Sequence, residues 1–124
     1  MIKVESVTEA MLQEIIPNLH PVHLPFIILE APERHYMQCA GDINQLTVEA
    51  RFYTADTSFK HFVIGTNGHS KVWHQINCAV GPINVLGHEV LNCNHALELF
   101  SYFLLQKKVK ENYSQRNVTK RSRK

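Results

Sequence analysis

A nine-residue run in the middle of the chain restricts its possible folds more than any other feature. In residues 46–54, LTVEARFYT, the apolar Leu46, Val48, Ala50 and Phe52 alternate with side chains that are mostly polar. Because successive side chains of a β-strand point to opposite faces, this alternation predicts a strand with one buried and one solvated face. Strands of that kind are typical of antiparallel sheets, which can leave one face open to water.

Short apolar or alternating segments on both sides of this run predict the remaining strands. Turn-forming residues separate them, including PER at residues 32–34 and GDIN at residues 41–44. Asn67 and Gly68 tolerate positive φ, so they predict a tight hairpin between the strands on either side. The predicted strands are residues 26–31, 35–40, 46–54, 59–65 and 71–76, with a short edge strand within residues 78–87.

Helices are predicted at the two ends of the strand region. Ser6 and Glu9 have the spacing of a capping box, and an apolar stripe over residues 7–16 ends at Pro17. The second helix, residues 93–108, carries apolar side chains on one face. A run of strands flanked by helices predicts the α+β class. We expect an antiparallel β-meander of about four to six strands, with the N-terminal and C-terminal helices packed on one face.

Charge divides the chain into an acidic body and a basic end. Residues 107–124 hold eight bases against one acid, which leaves five bases against ten acids in residues 1–106. Residues 109–124 also lack an apolar stripe, so burial cannot offset the entropy of ordering them. We therefore expect a single α+β domain over residues 1–108 and a basic, disordered tail over residues 109–124. The acidic body favours a basic protein partner, whereas the tail leaves nucleic acid open as a second partner.

A cysteine, a histidine and a carboxylate lie close together in sequence near the start of the second helix. Cys93 stands where a helix N-terminus stabilises a thiolate, with His95 as a base and Glu89 upstream, so a small enzyme site is one interpretation. Residues two apart on a helix do not face each other, however. An N-cap at Asn92 or Asn94, with Cys93 on the apolar stripe, explains the segment more simply. We therefore expect no catalytic residues and no enzyme.

Metal and cofactor sites have no sequence signature in this chain. The eight histidines and three cysteines lack the paired spacing of zinc sites, and the five glycines match neither common phosphate-binding pattern. A ligand set of Cys39, His61 and His74 across the predicted hairpin stays open as a geometric alternative. We expect no cofactor and no metal, and reduced cysteines that act as small buried hydrophobes.

The most apolar segment is too short to cross a bilayer. Residues 96–105, ALELFSYFLL, include a glutamate and span ten residues, against about 20 for a membrane helix. The N-terminal residues MIKVESVTEAML carry Glu5 and Glu9 where a secretory signal needs an apolar core. We expect no membrane partner and a cytoplasmic protein.

Four segments of the chain carry a resemblance to a known family. They are FIILEAPERHYMQCAG, QLTVEARFY, FKHFVIG and VLNCNHALELFSYFL, and in the last of them Ala96, Phe100 and Phe103 match the pattern A-x-x-x-F-x-x-F. A strand meander with a VE-R strand followed by such a helix resembles small cytosolic immunity proteins of bacterial polymorphic-toxin and contact-dependent growth inhibition systems. The resemblance implies an antitoxin without catalysis. It would bind the C-terminal domain of a cognate toxin, with a nuclease as the leading class, and block its active site.

The resemblance identifies no binding residues, so the candidates come from side-chain chemistry. Tyrosine adds apolar area and a hydroxyl group, arginine binds carboxylates through two N–H groups, and carboxylates complement a basic cleft. The candidate toxin-binding residues, on the wet face of the central strand and in nearby turns, are Glu30, Glu33, Asp42, Glu49, Arg51, Tyr53 and Asp56. The alternatives are a nucleic-acid-associated module acting through the basic tail and a small enzyme near Cys93 and His95.

Overall fold

The strands of the chain form one large sheet and one small sheet. The computed structural model describes residues 2–54 and 58–122. Within these residues the α+β class is confirmed, with a six-stranded sheet, a two-stranded sheet and two main helices. The strands are β1 (Ile2–Lys3), β2 (Phe26–Glu30), β3 (Tyr36–Gly41), β4 (Leu46–Tyr53), β5 (Phe59–Gly65), β6 (Trp73–Ile76), β7 (Ile83–Leu86) and β8 (Ser114–Asn117).

The six-stranded sheet is antiparallel except at one edge. Its order is β1-β2-β3-β4-β5-β8, and only the pairing of β1 with β2 is parallel. Ile27, Cys39, Val48 and Ile64 are direct neighbours across four strands and form one apolar row. This row lies on the face that carries the main core, as the alternation in β4 predicts.

Two helices share that core with the sheet. They are α1 (Glu9–Ile15), which continues into a 3-10 turn at Ile16–Asn18, and α2 (Cys93–Gln106); a third, one-turn helix, α3 (Thr119–Ser122), follows β8. The helices contribute Leu12, Leu99, Phe100 and Phe103 to the core, all fully buried. Burial of each such side chain contributes about 1.5 to 3 kcal/mol. No helix in the described part of the chain is long and apolar enough to cross a membrane.

The first helix begins two residues later than its sequence pattern suggests. The side chain of Thr8 accepts a hydrogen bond from the backbone N–H of Met11 at 3.2 Å, so Thr8 and not Ser6 is the N-cap of α1. Ser6 is instead the last residue of a separate 3-10 turn, Val4–Ser6. Because that turn uses the residues that would have opened the helix, the predicted capping box does not form.

The second helix begins at Asn92, one of the two caps that the sequence offers. Asn92 Oδ1 accepts from the backbone N–H of His95 at 3.2 Å, and the backbone N–H of Asn92 donates to His95 Nδ1 at 3.1 Å. Two of the unpaired N–H groups in this region are therefore satisfied reciprocally. The helix ends at Lys107, which adopts the left-handed conformation with φ of 59°.

We expect Asn92→Ala to lower the free energy of unfolding by about 1 kcal/mol, because the substitution removes this cap. Urea denaturation followed by circular dichroism measures the change. Asn94→Ala is the matched control, since Asn94 is exposed in the first turn of α2 and its effect should stay within about 0.5 kcal/mol. Equal losses in the two variants would contradict the assignment of the cap.

The hairpin predicted at Asn67 and Gly68 is wrong. β5 pairs with β4 and β8, whereas β6 pairs with β7 in the small sheet. β8 therefore occupies the edge of β5 that the predicted hairpin partner would have needed. The backbone also differs from a tight hairpin turn, because neither Asn67 nor Gly68 has a positive φ.

The small sheet covers one end of the second face of the large sheet. Ile76 and Val85 from β6 and β7 pack with Val63 of β5 and Val118, which follows β8, in a second apolar cluster. Val63 points away from the main core, because it is next to Ile64 in an alternating strand. This arrangement leaves the β2, β3 and β4 part of the second face half-buried.

Residues 109–118 differ from the disordered tail that composition predicts. β8 pairs with β5, and Val109 and Tyr113 are buried against the main core. Arg116 donates from Nε and Nη2 to the two carboxylate oxygens of Glu89, at 2.8 and 2.9 Å. Glu89 is fully buried, and its hydrogen bonds raise the pKa of Arg116. The ion pair with the distant Glu89 therefore helps to order this segment, together with strand pairing and the burial of Val109 and Tyr113.

A second ionic contact holds the same segment to α2. The hydroxyl of Tyr113 donates to Glu98 Oε1 at 2.5 Å, and Lys110 Nζ donates to Glu98 Oε2 at 3.0 Å. The hydrogen bond from Tyr113, with help from Lys110, lowers the pKa of Glu98. Because bases of the C-terminal segment pair with acids of the body, the charge division seen in the sequence is reduced in the fold. The expected attraction for a basic partner is reduced with it.

Candidate functional site

The face of the large sheet opposite α1 and α2 carries the candidate site. Glu30, Tyr36, Arg51 and His61 are direct neighbours across β2, β3, β4 and β5, so they form one row on this face. Side chains of the adjacent rows complete the surface. We name it the open face, and its members are Glu30, Tyr36, Glu49, Arg51, Tyr53, Phe59 and His61.

A three-residue hydrogen-bond network lies at the centre of the open face. His61 Nε2 and Glu49 Oε1 are 2.5 Å apart, and Arg51 Nε donates to His61 Nδ1 at 3.0 Å. Both ring nitrogens of His61 are thus in use, and only 5% of its side chain is exposed. The backbone N–H of His61 also donates to Thr119 Oγ1 at 3.0 Å, which connects the network to α3. This imidazole therefore links Glu49 to Arg51 and holds the guanidinium in place.

Aromatic rings surround the guanidinium of Arg51. Its Cζ atom lies 4.0 Å from the centroid of the Phe59 ring and 5.6 Å from that of Tyr36. Tyr53 meets Phe59 edge to face, with 5.8 Å between centroids. Such cation–π and aromatic contacts contribute about 0.5 to 1 kcal/mol each at partly exposed sites and restrict the side-chain rotamers.

Burial favours the neutral form of the Tyr36 hydroxyl group, which is already protonated at neutral pH at its ordinary pKa of about 10. Desolvation raises the pKa of this phenol, and the positive charge of Arg51 offsets only part of the effect. Tyr36 is therefore available as a neutral donor or acceptor beside the guanidinium.

The turn between β2 and β3 brings a second arginine to the rim of the open face. Glu33 and Arg34 both adopt positive φ, of 65° and 68°, which non-glycine residues seldom do. The turn places Arg34 Cζ 4.3 Å from the centroid of the Tyr53 ring. His35 Nδ1 accepts from the backbone N–H of Tyr53 at 2.9 Å and fixes the turn against β4.

The structure brings four of the sequence-predicted residues to the open face and places the others elsewhere. Glu49, Arg51 and Tyr53 share the open face, as the alternation of β4 predicts. Glu30 lies in the same row as Arg51 but toward the edge, with Lys3 Nζ at 3.9 Å from its carboxylate. The remaining predicted residues are in turns or outside the described residues.

Two of these turn residues have local partners. A carboxylate oxygen of Glu33 lies 3.6 Å from His35 Nε2. Asp42 Oδ1 accepts from the backbone N–H groups of Asn44 and Gln45, at 2.8 and 3.0 Å, so it stabilises the turn between β3 and β4. Asp56, the last predicted residue, lies outside the described residues.

Sequence reasoning missed Tyr36, Phe59 and His61 as members of this surface. Each follows an alternating pattern, but their proximity to Arg51 depends on the register of β3, β4 and β5. The available signal was the alternation itself. A residue at an even distance along a strand from a core residue lies on the core face, and a residue at an odd distance lies on the opposite face.

The cysteine, histidine and carboxylate near the start of α2 have separate partners. Glu89 binds Arg116 and accepts from the backbone N–H of Leu86 at 2.8 Å. His95 Nδ1 accepts from the N–H of Asn92. Burial raises the pKa of the Cys93 thiol, which opposes thiolate formation. These contacts favour a structural interpretation of the segment.

The alternative metal site of Cys39, His61 and His74 does not form. Cys39 faces the main core, where burial raises its pKa to about 12, whereas His61 faces the open side of the sheet. His74 is on β6, which belongs to the small sheet and does not pair with β5. Across the described residues no cluster of three or more His, Cys, Asp or Glu side chains has a metal-binding arrangement.

Comparison with known proteins identifies no relative: no family model matches the chain, and no curated protein or solved structure matches it significantly. The geometry of the open face is therefore the basis for proposing a function.

Proposed function

We propose that this chain is an immunity protein that binds the C-terminal domain of a cognate toxin through its open face and blocks the toxin's active site. The observation that carries the proposal is the central Arg51, held by His61 and surrounded by Phe59 and Tyr36. Arginine and tyrosine are over-represented among the residues that dominate binding energy at protein interfaces.

The shape and exposure of these side chains support a protein partner. Tyr36, Tyr53 and Phe59 are half-buried, so each combines a fixed position with apolar area that a partner can cover. They lie on strands of the large sheet and not on loops, which reduces the ordering entropy lost on binding.

The carboxylates on and around the open face support a nuclease as the toxin class. Glu30 is at its edge, and Glu33 and Asp42 lie in the two turns that follow β2 and β3. Nuclease active sites bind phosphates with basic side chains, and a carboxylate can take the place of a phosphate at such a cleft.

A second candidate function is nucleic-acid binding at the β5 and β8 edge. A groove of about 700 Å³ there is lined by Phe59, Lys60, Arg116, Asn117, Val118, Thr119 and Lys120. An aromatic ring among basic side chains is suited to a single-stranded nucleic acid. Because Arg116 already binds the buried Glu89, Lys60 and Lys120 would supply the phosphate contacts.

The experiment is a pull-down of the tagged full-length protein from an extract that contains the products of neighbouring genes. We expect a stoichiometric toxin whose affinity falls roughly 30-fold in Tyr53→Ala, since loss of an interface tyrosine costs about 2 kcal/mol. Titration calorimetry measures the two affinities. Lys71→Ala is the matched control, because Lys71 is exposed near the small sheet and away from the open face.

The nucleic-acid candidate makes a different prediction in the same experiment. The doubly substituted Lys60→Gln, Lys120→Gln protein would then lose bound nucleic acid, and binding would weaken steeply with salt. Recovery of nucleic acid alone, sensitive to these two substitutions and insensitive to Tyr53→Ala, would overturn the immunity proposal.

A further inference from the structure

The guanidinium of Arg51 has an unused edge. Its Nε atom donates to His61 Nδ1, but neither Nη atom makes a hydrogen bond or salt bridge with any described residue. Neither Nη atom is buried without a hydrogen-bond partner, so both are accessible to solvent. The half-buried Arg51 side chain therefore keeps four N–H donors that no described residue uses.

His61 and Glu49 fix the direction of that edge. Glu49 accepts from His61 Nε2, which leaves the lone pair of Nδ1 to accept from Arg51 Nε. Since only 5% of the His61 side chain and 16% of the Glu49 side chain are exposed, water has little access to compete for these bonds. The ring of Phe59, 4.0 Å from Arg51 Cζ, limits the guanidinium from one side.

We propose that Arg51 is the receptor for one carboxylate of the partner protein, which binds to the Nη edge with Tyr36 beside it. This inference rests on the proposed function, because it assigns the partner group that the open face recognises. A planar guanidinium matches a carboxylate through two parallel N–H···O bonds. Its prior fixation by His61 and Phe59 lowers the entropy lost when the bonds form.

A carboxylate fits the surroundings better than a phosphate. Glu49 and Glu30 lie on the same face as Arg51, and Glu49 is in the row next to it. Charge alone does not decide between them, because the repulsion by these carboxylates and the attraction to Arg51 both double for a doubly charged phosphate. The aromatic rim decides for a carboxylate side chain, since Phe59 and Tyr36 can cover the aliphatic part of an aspartate or glutamate.

The test is a nuclear magnetic resonance titration of the full-length protein, with the Arg51 Nε–H and the His61 ring as reporters. The probe is glutamate capped as N-acetyl and N-methylamide, and the capped glutamine is its neutral counterpart. We expect saturable shifts at Arg51 and His61 with the glutamate probe and none with the glutamine probe. Equal shifts with both, or a linear response at Arg51, would overturn the proposal.

Substitutions connect the response to the guanidinium edge. Arg51→Lys keeps the positive charge but removes the pair of parallel N–H donors of the guanidinium. We expect the affinity for capped glutamate to fall at least about 10-fold. Lys71→Gln, near the small sheet and away from the open face, removes a charge outside the site and should leave the affinity unchanged. Matching unfolding transitions for the variants show that each is folded. An unchanged affinity in Arg51→Lys contradicts the proposal.

Inorganic phosphate provides the third arm of the titration. Phosphate should shift Arg51 less than capped glutamate does at the same ionic strength, because it has no aliphatic part for the aromatic rings of Phe59 and Tyr36 to cover. Stronger binding of phosphate at Arg51 would overturn the choice of a carboxylate.

The outcome separates this inference from the proposed function. Saturable glutamate binding without a toxin in the pull-down would support Arg51 as a carboxylate receptor and contradict the immunity function. If Arg51→Lys and the unchanged protein bind a toxin with the same affinity, the immunity function is supported and the role of Arg51 as a receptor is contradicted.

Discussion

A protein that ends at Lys108 is expected to lose at least about 4 kcal/mol of its free energy of unfolding, because it loses the ion pair of Arg116 with Glu89 together with the buried side chains of Val109 and Tyr113. The truncation also removes β8 from the edge of β5 and takes Val118 out of the second apolar cluster. Since domains of this size are stable by about 5 to 15 kcal/mol, the truncated protein should be near its unfolding threshold.

Urea denaturation followed by circular dichroism measures this loss. The control is the full-length chain with Glu111→Gln and Lys120→Gln, which alters charge in the same segment at two exposed residues and keeps β8. We expect the control to stay within about 0.5 kcal/mol of the unchanged protein. An unfolding midpoint in the truncated protein equal to that of the full chain would show that β8 contributes no stability.

This prediction is opposite to the one that composition gives for residues 109–124. The four residues of β8, SQRN, have no apolar alternation, so periodicity could not identify them as a strand. Their order comes from long-range contacts, namely the pairing of β8 with β5 and the ion pair of Arg116 with Glu89, which lies 27 residues away in the sequence. Contacts between single residues at such separation leave no periodic trace in one sequence.

Elements with a long apolar pattern were predictable. The alternation in β4 identified both its buried face and the residues Glu49, Arg51 and Tyr53 on the other face. The apolar stripe and Asn92 cap likewise placed α2 to within about two residues at its C-terminus. In both cases burial of many side chains on one face determines the local structure, and the sequence records that face directly.

Predictions that depended on which strands are neighbours were less successful. Asn67 and Gly68 have the right turn chemistry for a hairpin, yet β5 pairs with β8 in the structure. The same limitation applied to the candidate site, where His61 reaches Arg51 only through the register of β4 and β5. Turn propensity is worth little compared with the pairing and burial that a whole strand can gain elsewhere.

The second large effect is expected from Arg116→Met, which keeps the length of the side chain but removes its charge. We expect a loss of about 3 to 5 kcal/mol in the free energy of unfolding at neutral pH, because Glu89 would stay buried with only the backbone N–H of Leu86 as a partner. Chemical denaturation at neutral and at mildly acidic pH measures the loss and its dependence on protonation.

Two comparisons separate the cost of a stranded charge from the loss of packing. The double variant Glu89→Gln, Arg116→Met has no buried charge, so it should recover much of the lost stability at neutral pH. Arg116→Met alone should recover stability toward acid, since protonation neutralises the stranded carboxylate. If the double variant is as unstable as the single one, the loss comes instead from packing of the Arg116 side chain. That packing includes the Trp73 ring, whose centroid lies 5.3 Å from Arg116 Cζ.

Lys110→Met is the matched control for burial, because Lys110 and Glu98 form an ion pair of similar length, 3.0 Å, with 36% and 44% of their side chains exposed. Exposed pairs contribute about 0 to 1 kcal/mol, since water solvates each charge when its partner is removed. Arg116→Met and Lys110→Met therefore differ in how easily water reaches the carboxylate that has lost its partner. Equal losses in Lys110→Met and Arg116→Met would contradict the view that desolvation of Glu89 makes its partner indispensable.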